Sequence, residues 1–226
     1  MSRSILFDTE TTGLDPLTGD RVIEVAALEL VNGLPTGASF HRLIDPARDI
    51  PTDSTRIHGI TAADLVGQPQ FAAIADELLE FFGADPLVAH NAPFDFGFLD
   101  AELRRSGRPP LDRSRMIDTL ALAKTRFPGM PNNLDALCRR FGIDLSARTT
   151  HNALLDCRLL AEVYVELTGG RQRGLVLAED GQEGISVVVY TRTGPRTPRP
   201  ILPTTIELAD HLGFVARIKD AVWLAG

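Results

Sequence analysis

The spacing of apolar positions changes character along the chain. Ile5-Leu6-Phe7 is a short apolar run inside Ser4–Glu10 that ends in the polar, Gly-punctuated turn Thr11-Thr12-Gly13. Val22–Leu30 alternates well enough for a second strand, Asn32-Gly33 is a hairpin signal, and Ser39–Ile44 predicts the returning strand, stopped at Asp45-Pro46. The period then becomes helical. Phe71–Phe82, Phe94–Arg105, Thr119–Arg126, Leu134–Phe141 and Asn152–Leu167 read as helices, and Pro86–His90 as a short buried strand between the first two. Three sequential strands followed by helices alternating with short strands predict an α/β domain, a mixed sheet with helices packed on it.

After Gly170 the pattern breaks. Pro195, Pro198, Pro200 and Pro203 alternate with Arg192, Arg196 and Arg199, which reads as an extended linker. Val187–Tyr190 has strand propensity, and Ile206–Leu224 holds a possible amphipathic helix on Leu208, Leu212, Val215 and Ile218 before the single tryptophan, Trp223. The expected organisation is a domain over residues 1–170 and a linker and tail over 171–226. A tail ending in apolar and aromatic residues calls for a partner.

Composition narrows the class. The 226 residues are 44% hydrophobic and 23% charged, near the globular average, which excludes collagen-like and disordered chains. No apolar run approaches a membrane span, and the start resembles no secretory signal, so the expectation is a cytoplasmic protein without a membrane partner. Cys138 and Cys157 are too few for a disulfide framework, are not spaced as metal ligands, and suit buried thiols. The net charge of −7 has the wrong sign for a nucleic-acid binder. It is unevenly distributed: residues 171–226 carry seven basic and six acidic side chains, the rest 16 and 24.

The candidate chemistry lies in acidic side chains. Asp8 and Glu10 are two apart on a strand and so point to one face. Two like charges there need a cation, or else mark a solvated strand end. Asp95 follows His90-Asn91-Ala92-Pro93-Phe94 where a helix begins, a place the helix dipole alone would favour for an acid. His151 and Asp156 are five apart and cannot share one helical stripe, so His151 is expected on the loop or cap and Asp156 one to two turns into the helix. Asp156, in apolar surroundings, needs a partner: a metal, or backbone amides to cap.

Taken together, Phe7-Asp8-Thr9-Glu10-Thr11-Thr12-Gly13, His90–Asp95 and His151–Asp156 resemble the three exonuclease motifs of the DnaQ-like (DEDDh) family. The resemblance covers roughly residues 3–170. Within the family, Arg148–Tyr164 and Thr168-Gly169-Gly170 look most like the proofreading epsilon subunits of bacterial DNA polymerase III. It implies a ribonuclease H-like fold and 3′→5′ removal of nucleotides from DNA ends with two divalent cations, Mg²⁺ or Mn²⁺. Asp8, Glu10 and Asp156 would hold metal, Asp95 would support it, and His151 would be the general base. Thr9, Thr11, Leu14, Asp53, Ile57 and His58 would contact the terminal nucleotide; a surface turn is the alternative for His58.

Gln172-Arg173-Gly174-Leu175-Val176-Leu177 is similar to the peptides that dock on sliding clamps, with Gln172, Leu175 and Leu177 as anchors. Glu207–Trp223 resembles the tail by which epsilon subunits bind the polymerase catalytic (alpha) subunit, and a small theta-like subunit is a further partner the resemblance allows. The rival readings are a stand-alone nuclease for RNA processing or DNA repair, and an inactive scaffold between polymerase and clamp. The acidic balance then becomes intelligible: carboxylates hold cations, cations meet phosphate, and a polymerase partner supplies the basic surface.

Overall fold

The computed structural model describes residues 2–146, 148, 150–169 and 202–219. The chain divides into two compact units, residues 1–176 and 177–226.

The first unit is built on a five-stranded mixed sheet in the order β3-β2-β1-β4-β5, the architecture that the motifs imply. β1 (Arg3–Thr11), β2 (Val22–Val31) and β3 (Leu34–Leu43) form an antiparallel meander. β4 (Leu87–Ala89) runs parallel to β1, and β5 (Met116–Asp118) parallel to β4. Asn32 and Gly33 both have positive φ, 53° and 81°, as a tight hairpin turn of matching twist requires. β3 begins five residues earlier than the apolar pattern predicts. Its first six residues are exposed on the sheet edge, so pairing to β2 rather than burial makes them a strand.

The helices of this unit are α1 (Thr52–His58), α2 (Phe71–Phe82), α3 (Ala92–Arg105), α4 (Thr119–Arg126), α5 (Leu134–Phe141) and α6 (Ala153–Leu167). β1 is central and buried on both sides, and its alternation divides the core. Ile5 and Phe7 belong to a cluster with α2 and α3, where Phe7 meets Phe82 and Phe96 at ring distances of 5.3 and 5.7 Å. Leu6 belongs to a second cluster with α5 and α6. Cys138 and Cys157 are both free and buried in that second cluster, as expected; burial pushes the Cys138 thiol up to about 11. In the second unit, α7 (Thr205–Val215) starts from a reciprocal Thr204–Glu207 capping box. It is shorter than the predicted 206–224 segment, and Trp223 and Val187–Tyr190 lie outside the described residues. No helix among the described residues is long and apolar enough to cross a membrane.

Candidate active site

The site forms where β1 outruns its neighbour. β4 pairs with β1 only at Ile5 and Leu6, so residues 8–10 project past its carboxyl end. Backbone alternation puts Asp8 and Glu10 on the side of Leu6, the side covered by α6, as their spacing predicts. Thr9 faces the other way, toward α3. The Asp95 carboxylate takes over the open edge there, accepting the Thr9 N–H at 3.1 Å and the Thr9 hydroxyl at 2.7 Å through Oδ1.

Asp95 lies in the first turn of α3, which begins two residues before the predicted start because Pro93 suits a helix N-terminus. Asn91 enters this helix at φ 67°. Asp118, at the end of β5, fixes the entry. Its Oδ1 accepts from Asn91 N and Ala92 N (3.0 and 3.3 Å) and also caps α4 through Leu120 N (3.0 Å).

Asn152 caps α6, its side chain accepting from Leu155 N at 3.0 Å. His151 therefore precedes the helix, as expected, while Asp156 is only its fourth residue, within the first turn rather than a turn or more inside. Arg148 binds the Asp156 carboxylate with two parallel contacts, Nε to Oδ1 at 2.6 Å and Nη2 to Oδ2 at 2.7 Å. Its Nη1 reaches Asp135 at 2.7 Å. His151 Nδ1 stands 3.4 Å from Asp156 Oδ2, and the His151 N–H donates to the Ile57 carbonyl at 3.1 Å, tying the loop to α1.

These elements enclose a cavity of about 540 Å³. It is lined by Asp8, Glu10, Asp95, Asp156 and His151, and also by Thr9, Thr11, Leu14, Asp53, Ile57 and His58. The sequence candidates of the first unit thus converge on one place. Gln172, Leu175 and Leu177 lie outside the described residues. The cavity is acidic, and Arg148 is the one Lys or Arg on its wall among the described residues.

The electrostatics follow from crowding carboxylates at a buried sheet end. Burial, reinforced by Glu24, Asp156 and Asp95, pushes Glu10 up to about 8. Asp8 is raised strongly, first by burial and then by Asp95 and Glu10. Burial raises Asp95 to about 7 against the opposing Thr9 hydrogen bonds. Asp156 is the exception: burial pushes it up too, but the bonds from Arg148 and His151 outweigh that and leave it lowered. Neither Asp8 nor Glu10 has a hydrogen-bond or ion-pair partner from another side chain among the described residues. Unpaired carboxylates held together are a donor set for a hard divalent cation. Ligand atoms of Glu10, His151 and Asp156 lie within 4.8 Å of one another, a group that could hold such an ion and that does not include Asp8.

Several features escaped sequence reasoning. α1 and β5 are short and lack periodic apolar positions, so neither is predicted. His58 is not a surface turn residue but a buried one at the end of α1, 5% exposed. Its Nδ1 accepts from Ile60 N at 3.0 Å, and burial first of all lowers its pKa, so a neutral ring carries its proton on Nε2. That Nε2 is buried without a partner beside the cavity. Asp53 stands at the rim, 89% exposed and paired with Arg56 at 2.9 Å. Nothing in the sequence pattern marks Asp135 or the buried Glu24, whereas an arginine three residues before a candidate base is a signal for Arg148.

The profile of the RNase T exonuclease family matches residues 5–164. DNA polymerase III subunit epsilon of Rickettsia felis is 47% identical over 222 residues, covering 96% of each chain. The Escherichia coli K12 protein of the same name is 39% identical over 222 residues, covering 93% of this chain and 91% of its own. Among solved structures, exonuclease X in complex with 5′-overhanging duplex DNA aligns with a TM-score of 0.58 at 27% identity, over 75% of this chain and 92% of that one. The converging acidic motifs, the sheet that presents them and these likenesses agree: the chain belongs to the exonuclease family, among relatives that are DNA polymerase III epsilon subunits.

Proposed function

We propose that this protein is the proofreading subunit of a replicative DNA polymerase, a 3′→5′ exonuclease that hydrolyses mispaired nucleotides from DNA 3′ ends with two divalent cations, Mg²⁺ or Mn²⁺. The observation that carries this reading is the convergence of Asp8, Glu10, Asp95, Asp156 and His151 on one cavity, in a chain so similar to epsilon subunits. Asp8, Glu10 and Asp156 hold the ions, and Asp95 braces β1 beside them through Thr9. Bound there, the ions would supply a nucleophile at neutral pH and stabilise charge on the attacking and leaving oxygens.

His151 is the group that takes the proton from the attacking water. Its half-exposed side chain has room to turn, and imidazole is the side chain that changes charge near neutral pH. Leu14 and Ile57, 81% and 52% exposed, offer apolar contact to the terminal base. The His58 Nε2–H is a free donor for the nucleotide. Thr9 and Thr11 direct their hydroxyl protons to Asp95 and the Gly13 carbonyl, so their contribution to substrate is backbone shape. Asp53 lies at the outer edge of the same cavity, where a 3′ hydroxyl could enter.

The tail is assigned to partners. α7 exposes Ile206, Leu208, Leu212 and Phe214, an apolar set suited to the polymerase alpha subunit. Residues 172–177 are assigned to the sliding clamp, and a theta-like subunit is allowed as a third partner. Mononucleotide release from matched and mismatched primers, measured with and without the alpha subunit and again after deleting residues 171–226, tests the reading. Mismatch-favoured release that survives the deletion, together with loss of alpha binding, is the expected result. Release confined to RNA, or no alpha binding by the full chain, would favour a stand-alone nuclease, and alpha binding that survives the deletion would place that contact outside the tail. No release at all would leave the scaffold.

A further inference from the structure

Glu24 is a buried carboxylate that this mechanism leaves without a task. It is 0% exposed in the middle of the sheet and stands opposite Glu10 in the β1–β2 register. It is not among the residues that line the cavity. A charge at such a depth is costly unless it is fully hydrogen-bonded, and its bonds all lead to two places. Oε2 accepts the Ala153 N–H at 3.1 Å, one of the open amides of the first turn of α6. Oε1 accepts Asn152 Nδ2 at 3.3 Å and meets His41 Nε2, from β3, at 2.7 Å.

Asn152 is thereby held at both ends of its amide, the oxygen capping Leu155 N and the nitrogen on Glu24. His151 is the residue before it, and the Asp156 N–H closes onto the Asn152 carbonyl at 2.8 Å. The candidate base and the α6 carboxylate therefore both hang from a two-residue segment fastened to β2. We infer that Glu24 is a positioning residue: through Asn152 and Ala153 it sets His151 and Asp156 against Asp8 and Glu10, with His41 as its outer support. The negative charge also suits the helix N-terminus it faces. This rests on the site assignment made above.

The test separates reach from charge. Glu24→Asp keeps the charge but is one methylene short of Ala153, whereas Glu24→Gln keeps the reach and one acceptor. Asn152→Ala removes the side-chain link and leaves Glu24 on the Ala153 amide. In metal-free protein, Glu24→Asp and Asn152→Ala should speed hydrogen exchange at the Ala153 and Leu155 amides while the rest of the sheet stays protected. Both should weaken Mn²⁺ binding, read by electron paramagnetic resonance, and lower kcat, each by about 10- to 100-fold, with KM for a single-stranded oligonucleotide within about twofold. Their combination should cost little more than either alone. Wild-type kcat and Mn²⁺ affinity in Glu24→Asp and Asn152→Ala, measured well below their melting transitions, would overturn the inference and leave Glu24 a structural residue, even if melting fell. Should Glu24→Asp fail to fold, Asn152→Ala decides alone. Failure of the site assignment looks different: the Asp8→Ala, Glu10→Ala double variant would then bind Mn²⁺ as wild type does.

Discussion

The Arg148 guanidinium covers the Asp156 carboxylate edge to edge, at 2.6 and 2.7 Å, while its third nitrogen is held 2.7 Å from Asp135. It supplies positive charge at the spot where a cation would share that carboxylate. Arg148→Met should therefore destabilise the metal-free protein by about 2–4 kcal/mol, because Asp156 is left buried with only His151 beside it. It should at the same time tighten Mn²⁺ binding, since the ion no longer competes with a guanidinium. Melting curves with and without Mn²⁺ and a binding isotherm read both effects; weaker Mn²⁺ binding would mean that Arg148 orients Asp156 for the ion instead.

Asp8→Ala combined with Glu10→Ala should reduce nucleotide release by at least about 10³-fold, the loss expected when charge stabilisation at the reacting phosphate disappears. The metal-free fold should survive and melt higher, because two repelling carboxylates are gone. Circular dichroism beside the nuclease assay checks this.

His151→Ala should lower kcat by about 10²- to 10⁴-fold, the usual worth of a positioned general base, and leave Mn²⁺ affinity within a few-fold of wild type. A large loss of affinity would instead make His151 a ligand alongside Glu10 and Asp156.

The raised carboxylates fix the sign of a pH effect. Glu10 near 8 and Asp95 near 7 lie above their ordinary values of 4.5 and 3.8, so the folded metal-free protein holds protons that the unfolded chain has lost. Their stabilising contribution is complete below about pH 4 and disappears as pH rises through 7 to 8. Asp156 acts in the opposite sense, its contribution present above the unfolded value and lost on acidification. Metal-free melting should fall between pH 6 and 8.5, saturating Mg²⁺ should flatten or reverse that slope, and calorimetry in buffers of different ionisation heat should show proton release on Mg²⁺ binding.

Gly13→Ala should disturb the turn behind the acidic strand. A Cβ there would collide with the Asp20 carboxylate, and Asp20 is held by Thr12, the Asp15 amide and Arg48. The turn that carries Leu14 must shift, and KM for oligonucleotides should rise more than kcat falls.

Much of this was legible in the chain because the signals were local. The three acidic motifs sit on segments whose apolar spacing is clear, and α4 and α5 have the predicted bounds. What stayed hidden depends on contacts between distant residues. β5 is three residues long and becomes a strand only by pairing with β4. α1 is a single helical stretch of seven residues whose apolar content, Ile57, faces outward. Arg148 reads as an ordinary charge until α5 and α6 bring Asp135 and Asp156 to it, and Glu24 reads as the polar position of an alternating strand although it is wholly buried.

The division of β1 into two faces carries a consequence for inheritance. Ile5 and Phe7 fill one layer of the core, while Leu6, Asp8 and Glu10 look to the other, and nothing but residue parity keeps them apart. A single-codon insertion or deletion between Arg3 and Phe7, even one that adds a harmless alanine, would exchange the faces beyond it and drive two carboxylates into the aromatic cluster around Phe82 and Phe96. Point changes in this strand can be graded in effect, but changes in its length cannot. Lineages of this protein should accumulate substitutions there and keep the residue count fixed.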